Sequence, residues 1–141
     1  GLRLTPQPVQ VVPFVAYVDH TWKRGLSQYQ ETFSHKSLAL GVSTTWQINA
    51  KWEALGLFSV GQMQSAQINV PQVSFLASLG TQIIKTAQAQ LAYGFNQHWQ
   101  LALSANYQHY GYGQSTLSNG FIEPESMTKQ RSVLTSLHYI Y

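Results

Sequence analysis

Between Phe33 and Asn49 large apolar residues and small or polar residues alternate one for one. Leu38, Leu40, Val42, Thr44, Trp46 and Ile48 share one parity; Ser37, Ala39, Gly41, Ser43, Thr45 and Gln47 share the other. Side chains alternate across a strand, whereas a helix needs apolar spacings of three and four, so the segment predicts a strand. Its second face is too small and polar for a thick hydrophobic core, but it can line the inside of a barrel.

The same alternation recurs along the chain. After the proline-bearing start Gly1 to Pro8, Val9 to Lys23 predicts a first strand. Placing Asp19 and Lys23 inside puts Tyr17 with them and turns Phe14, Ala16, Val18, His20 and Trp22 outward. Pro13 marks an edge, a bulge or a strand start. A polar connection, Arg24 to Thr32, leads to the strand already described. Lys51 to Gln67 follows a tight turn at Asn49-Ala50, with Trp52, Ala54, Gly56, Phe58 and Val60 opposed to Lys51, Glu53, Leu55, Leu57 and Ser59. Ala66 to Gln72 reads as a second connection, and Val73 to Phe95 as a long fourth strand in which Lys85 shares the apolar parity. That parity places Lys85 beyond an apolar band or at its edge. After Asn96-Gln97-His98 comes the strand from Trp99, extended through Tyr110 and Tyr112. Gln114 to Thr128 is the longest loop, and Lys129 to Tyr141 is the closing strand. The expected connections thus run long, short, long, short, long.

Only 9% of the residues are charged, against about 25% in ordinary soluble domains. Yet the mean hydropathy is slightly negative, and Gln, Ser, Thr and Asn abound. A wall with one side in lipid and the other in water or polar packing fits this balance. The 141 residues suffice for one domain, the net charge of +3 is scattered, and no basic run argues for nucleic acid. With no cysteine there are no disulfides or thiolate metal sites. No window approaches the ~18 apolar residues of a membrane helix. Gly1 to Gln10 lacks the charged start and apolar run of a signal peptide, so an exported protein is expected to stand here in mature or truncated form.

Trp46, Trp52, Tyr93, Phe95, Trp99, Tyr139 and Tyr141 lie next to the short turns; Trp22, Tyr107, Tyr110 and Tyr112 lie towards the long loops. Trp99 to Tyr107 measures ~26 Å along a strand, or about 20 Å of height once tilted by ~40°. With the closing Leu137-His138-Tyr139-Ile140-Tyr141 and the hairpin from Leu91 to Tyr107, this pattern resembles the outer-membrane β-barrel proteins of Gram-negative bacteria. The resemblance implies an all-β, antiparallel up-and-down transmembrane β-barrel in the bacterial outer membrane. On that resemblance residues 1–141 are expected to form a single barrel domain with six strands visible, the C-terminal portion of a barrel of eight or more. Six tilted strands alone close too narrowly for their interior side chains. The same resemblance implies membrane lipid as the surroundings, recognition of the C-terminal strand by the barrel-assembly machinery, and additional strands or a partner chain to close the barrel.

On this reading Tyr17, Asp19, Lys51, Glu53, Gln88, Gln90, Gln100, Asn106, Gln108 and Ser132 face the lumen. Leu38, Leu40, Val42, Trp46, Trp99, Leu101, Leu103, Tyr107, Val133, Leu137, Tyr139 and Tyr141 face the membrane. Lys51 and Glu53 are expected to form an interior ion pair. Asp19-His20 invites comparison with omptin-type barrel proteases, but neighbours on a strand point to opposite faces. Ser118-Asn119-Gly120 resembles part of the barrel-phospholipase motif, without the preceding His, and reads as an Asn-Gly turn. The Tyr107 to Tyr112 cluster suits a sugar or lipid, or an aromatic girdle. The histidines share no metal-ligand spacing. No catalytic residue, cofactor or metal ligand is therefore assigned. The expected function is a structural or surface protein, or a narrow channel for small solutes. The alternatives are a rim-located hydrolase, omptin-like or lipid-modifying, and a soluble β-sandwich binding module.

Overall fold

The computed structural model describes residues 9–25 and 30–139. They form an all-β fold of seven antiparallel strands: β1 (Val9–Arg24), β2 (Glu31–Gln47), β3 (Trp52–Val70), β4 (Phe75–Gly80), β5 (Ile83–Gly94), β6 (Trp99–Ser115) and β7 (Ser126–Tyr139). Neighbours in sequence pair throughout, with β4 and β5 acting as one strand. Gln67 opposes Ser78 on β4 and Gln62 opposes Ile83 on β5, so both halves meet β3 in one continuous register. A hydrogen bond of 3.2 Å from Met63 N–H to the Gln82 carbonyl bridges the break. The fourth strand is thus the long one expected from Val73 to Phe95. The sheet curls into a small barrel, and among the described residues β1 and β7 are not paired with each other.

The connection expected at Ala66 to Gln72 is shorter than the sequence implied. β3 runs on through the residues read as loop to Val70, and a single 3-10 turn at Pro71–Val73 reverses the chain. Gln64 is the reason. The β2–β3 register shifts between Lys36 and Ser37, pairing Lys36 with Ser65 and Ser37 with Met63. Such a bulge inverts parity beyond it. Below the bulge Ser59, Gly61 and Met63 point inward; above it Ala66, Ile68 and Val70 do. The alternation therefore breaks where the strand continues. Between β6 and β7, Asn119 and Gly120 both have positive φ, the geometry of an Asn-Gly type I′ turn, closed by the Ser118–Phe121 bridge.

Inward residues at the loop end build the hydrophobic core. Phe33, Met63, Ile68 and Tyr112 are each at most 2% exposed, and Val70, Phe75, Ala77, Leu79 and Ile84 surround them. Nearer the short turns the inward face is mostly small and polar, with Phe14, Leu55 and Leu57 among its larger residues. There Gly41 permits close packing: a Cβ would lie 2.4 Å from the Phe14 ring and 2.7 Å from the Phe58 carbonyl oxygen. The ring can turn, but the carbonyl belongs to the sheet. Gly41→Val should therefore destabilise the fold by about 1–3 kcal/mol through overpacking, read as a lowered denaturation midpoint. A midpoint equal to wild type would show that the two strands separate freely.

Candidate functional site

Two surfaces stand out: a continuous outward apolar band, and an inward aromatic–histidine cluster at the loop end. The band covers all six long strands. Its residues on β2, β6 and β7 are well exposed, with Leu40 at 65%, Leu103 at 54% and Val133 at 73%. Paired residues share a face, and this fixes each predicted residue. Leu38, Leu40, Val42 and Trp46 point outward, as do Trp99, Leu101, Leu103 and Tyr107, and Val133, Leu137 and Tyr139. Gln88, Gln90, Gln100, Asn106, Gln108 and Ser132 share the opposite, inward face. Tyr141 lies outside the described residues.

Tyr17 and Asp19 were expected inside and are not. Tyr17 pairs with Leu38 and Asp19 with Lys36, which puts both on the outward face. The inward side belongs to Phe14, Ala16, Val18, His20 and Trp22. Charge misled the parity assignment: Asp19 lies just beyond the apolar band, where the outward surface is already polar. The expected Lys51–Glu53 pair does not form either. Lys51 sits in the turn with its ammonium 6.0 Å from the Tyr93 ring centre, while Glu53 opposes Ala92 on the inward face. Among the described residues the ion pairs are those of Arg24 with Glu31 and Glu123, at 2.6 and 3.1 Å.

The upper limit of the band has a definite slope. The row Val15–Leu40–Val60–Lys85–His109–Lys129 follows the hydrogen bonds across the sheet, and changes from apolar to basic halfway. On β1 the outward face turns polar between Tyr17 and Asp19, about three residues above that row. On β7 it does so between Val133 and Arg131, about three residues below it. The boundary thus falls by ~20 Å across five strand spacings of ~4.8 Å each, a slope of ~40°. A level boundary on strands tilted by ~40° has this form.

The inward cluster joins strands that are distant in sequence. Trp22 of β1 stacks on Phe33 of β2, with ring centres 4.5 Å apart. Its indole N–H donates to the Tyr112 hydroxyl at 3.2 Å, and that hydroxyl lies 2.8 Å from His35 Nδ1. An indole can only donate, so the Tyr112 oxygen accepts from Trp22, and the direction of its bond with Nδ1 depends on the His35 tautomer. His20 stands 5.2 Å from His35, centre to centre, and Tyr110 closes the group. Burial raises the Tyr112 pKa, so the hydroxyl stays protonated. Burial, and then the neighbouring His20, lower that of His35, against a smaller opposing effect of Asp19.

A depressed folded-state pKa means that the unfolded chain takes up more protons once the pH falls below about 6.5. The stabilisation is complete above that value and is lost as the pH drops from there through the lower, folded value. The denaturation midpoint should therefore be higher at pH 7.5 than at pH 5.5, and His35→Gln should flatten the difference. An unchanged slope in the variant would assign the pH dependence elsewhere.

Tyr107, Tyr110 and Tyr112, close in sequence, do not form one cluster. The structure divides them, with Tyr107 outward beneath the Arg131 guanidinium and the other two inward. Period-2 alternation carried that signal, and only the partners across the barrel were missing from it. For hydrolysis the placements are unfavourable. Asp19 and His20 point to opposite faces. Ser136 Oγ and His138 Nε2 lie 2.8 Å apart at the exposed end of β7, but among the described residues no carboxylate hydrogen-bonds His138. Nor does any group of three potential metal ligands occur among them. No family model, curated protein or solved structure matches this chain.

Proposed function

We propose that the chain forms the wall of an outer-membrane β-barrel that serves as a structural or surface protein, with its loop end plugged. The observation that carries this reading is the uncharged outward band with its sloping edge. Within it the outward residues of all six long strands carry no charge, and the ~40° slope matches the tilt of strands in transmembrane barrels, about 35–45°. A soluble sandwich has no cause to hold its apolar surface to one level across tilted strands. Lys85, His109, Lys129 and Arg131 then stand at the outer interface, and Trp46, Trp52, Trp99 and Tyr139 at the inner one.

The packing of Phe33, Met63, Ile68 and Tyr112 favours the structural role over the narrow channel, because it fills the interior at the loop end. Strand edges cannot lie unpaired in lipid. β1 rises from the short-turn end and β7 returns to it, so closure takes an even number of further strands, from the same polypeptide or a second copy, giving a barrel of at least eight. The outer membrane is the corresponding location, with the assembly machinery engaging β7.

The test is heat-modifiable electrophoretic migration together with solubility. The protein should need detergent, run as a compact folded species unboiled and shift on boiling. In planar bilayers it should give no steady conductance. A monodisperse, folded protein in plain buffer would sink the membrane reading; steady conductance would restore the channel.

A further inference from the structure

The basic end of the sloping boundary lies directly above a groove. Lys85, His109 and Lys129 are side by side on β5, β6 and β7, and Arg131 follows Lys129 on the same face. Both ion pairs of the described residues belong to Arg24, so among those residues no carboxylate pairs with Lys85, Lys129 or Arg131. In the middle of the row, His109 Nε2 is shielded from solvent and has no hydrogen-bond partner among the described residues. A shielded polar atom without a partner is costly unless something else supplies one.

Below these residues the outward face is hollowed. On the rows where β2 presents Val42 and Thr44, the β5–β6 pairs present Ala87 opposite Tyr107, and Ala89 opposite Ala105. The result is a groove of about 530 Å³ with an alanine floor, flanked by Val133 and capped by Tyr107 and Arg131. Its walls are apolar and its upper rim is cationic. That order matches one kind of molecule.

We propose that the groove and the basic row bind an anionic, phosphate-bearing membrane lipid. The phosphate lies over Lys85, Lys129 and Arg131, within reach of His109, and an acyl chain runs down the alanine floor. A soluble anion would use the cations and leave the groove empty; a neutral lipid would use the groove and leave the cations unpaired. The inference rests on the reading that the outward band meets lipid.

The experiment is lipid titration of the full chain in dodecyl maltoside, followed by native mass spectrometry. The probes are palmitoyl-oleoyl phosphatidylglycerol and the matching phosphatidylcholine. The phosphatidylglycerol should be retained about tenfold more tightly, as a few basic groups at a membrane surface allow. The triple variant Lys85→Gln, Lys129→Gln, Arg131→Gln should lose that preference while keeping its affinity for phosphatidylcholine. Ala105→Leu, which fills the floor, should weaken both lipids and leave heat-modifiable migration intact. Equal retention of the two lipids by the wild type, or a preference that survives the triple variant, would overturn the proposal. So would glycerol phosphate competing as well as the whole lipid, which would mark a free-phosphate site. If the wild type needs detergent and is heat-modifiable but shows no preference, only this inference fails. If it folds in plain buffer, the membrane reading beneath it fails.

Discussion

Tyr112→Ala should cost the fold about 3–5 kcal/mol, the range for deleting a large buried aromatic side chain. Tyr112 is 1% exposed and packs on Phe33, while its hydroxyl receives the Trp22 indole and serves His35. Alanine leaves a cavity and strips both neighbours of their partner. Tyr112→Phe separates the two effects. It keeps the ring and removes only the hydroxyl, so it should cost about 1–3 kcal/mol through the orphaned groups. Urea unfolding followed by tryptophan fluorescence reads both. If phenylalanine proves as damaging as alanine, the hydrogen bonds and not the packing hold the loop end shut. If neither variant moves the midpoint, the cluster is not part of the cooperative unit.

Leu103→Arg should cost a comparable amount, about 2–4 kcal/mol, when the protein is folded into a bilayer, because it sets a cation on the lipid face near mid-depth. Leu103 is outward and lies midway between Trp99 and Tyr107. The control is Gln67→Arg, also outward and exposed, but above the sloping boundary. It should fall within about 0.5 kcal/mol of wild type, as surface changes usually do. The contrast between the two positions is the result to seek in refolding titrations into lipid vesicles. Near-equal stabilities would mean that Leu103 meets water, and with that the membrane reading would be lost. A soluble fold predicts this second outcome for both positions.

These two experiments probe what was, respectively, invisible and visible in the sequence. The outward face of β2 was legible because Leu38, Leu40, Val42 and Trp46 alternate against alanine, glycine, serine and threonine. The hairpin from β5 to β6 was legible for the same reason, and its turn follows from Asn96, whose side-chain oxygen accepts the backbone N–H groups of His98 and Trp99 at 2.9 and 3.0 Å. Alternation was less informative on β1, where both parities are apolar at the start and only Asp19 and Lys23 distinguish them. It failed on upper β3, where the bulge beside Ser37 moves the inward set from Met63 to Ala66.

What the sequence determined by itself was local: which stretches are strands, which side of most of them is apolar, and where the chain turns. Those properties depend on a period of two residues and on the chemistry of single turn residues. The tertiary structure decided everything that depends on partners across the barrel. It turned Phe14 and Trp22 inward, brought Trp22, His35 and Tyr112 together over wide sequence separations, and aligned Lys85, His109 and Lys129 above an alanine floor. Such neighbours are set by strand register and sheet curl. Register is fixed only when a whole face is buried at once, so no window of the sequence can contain it.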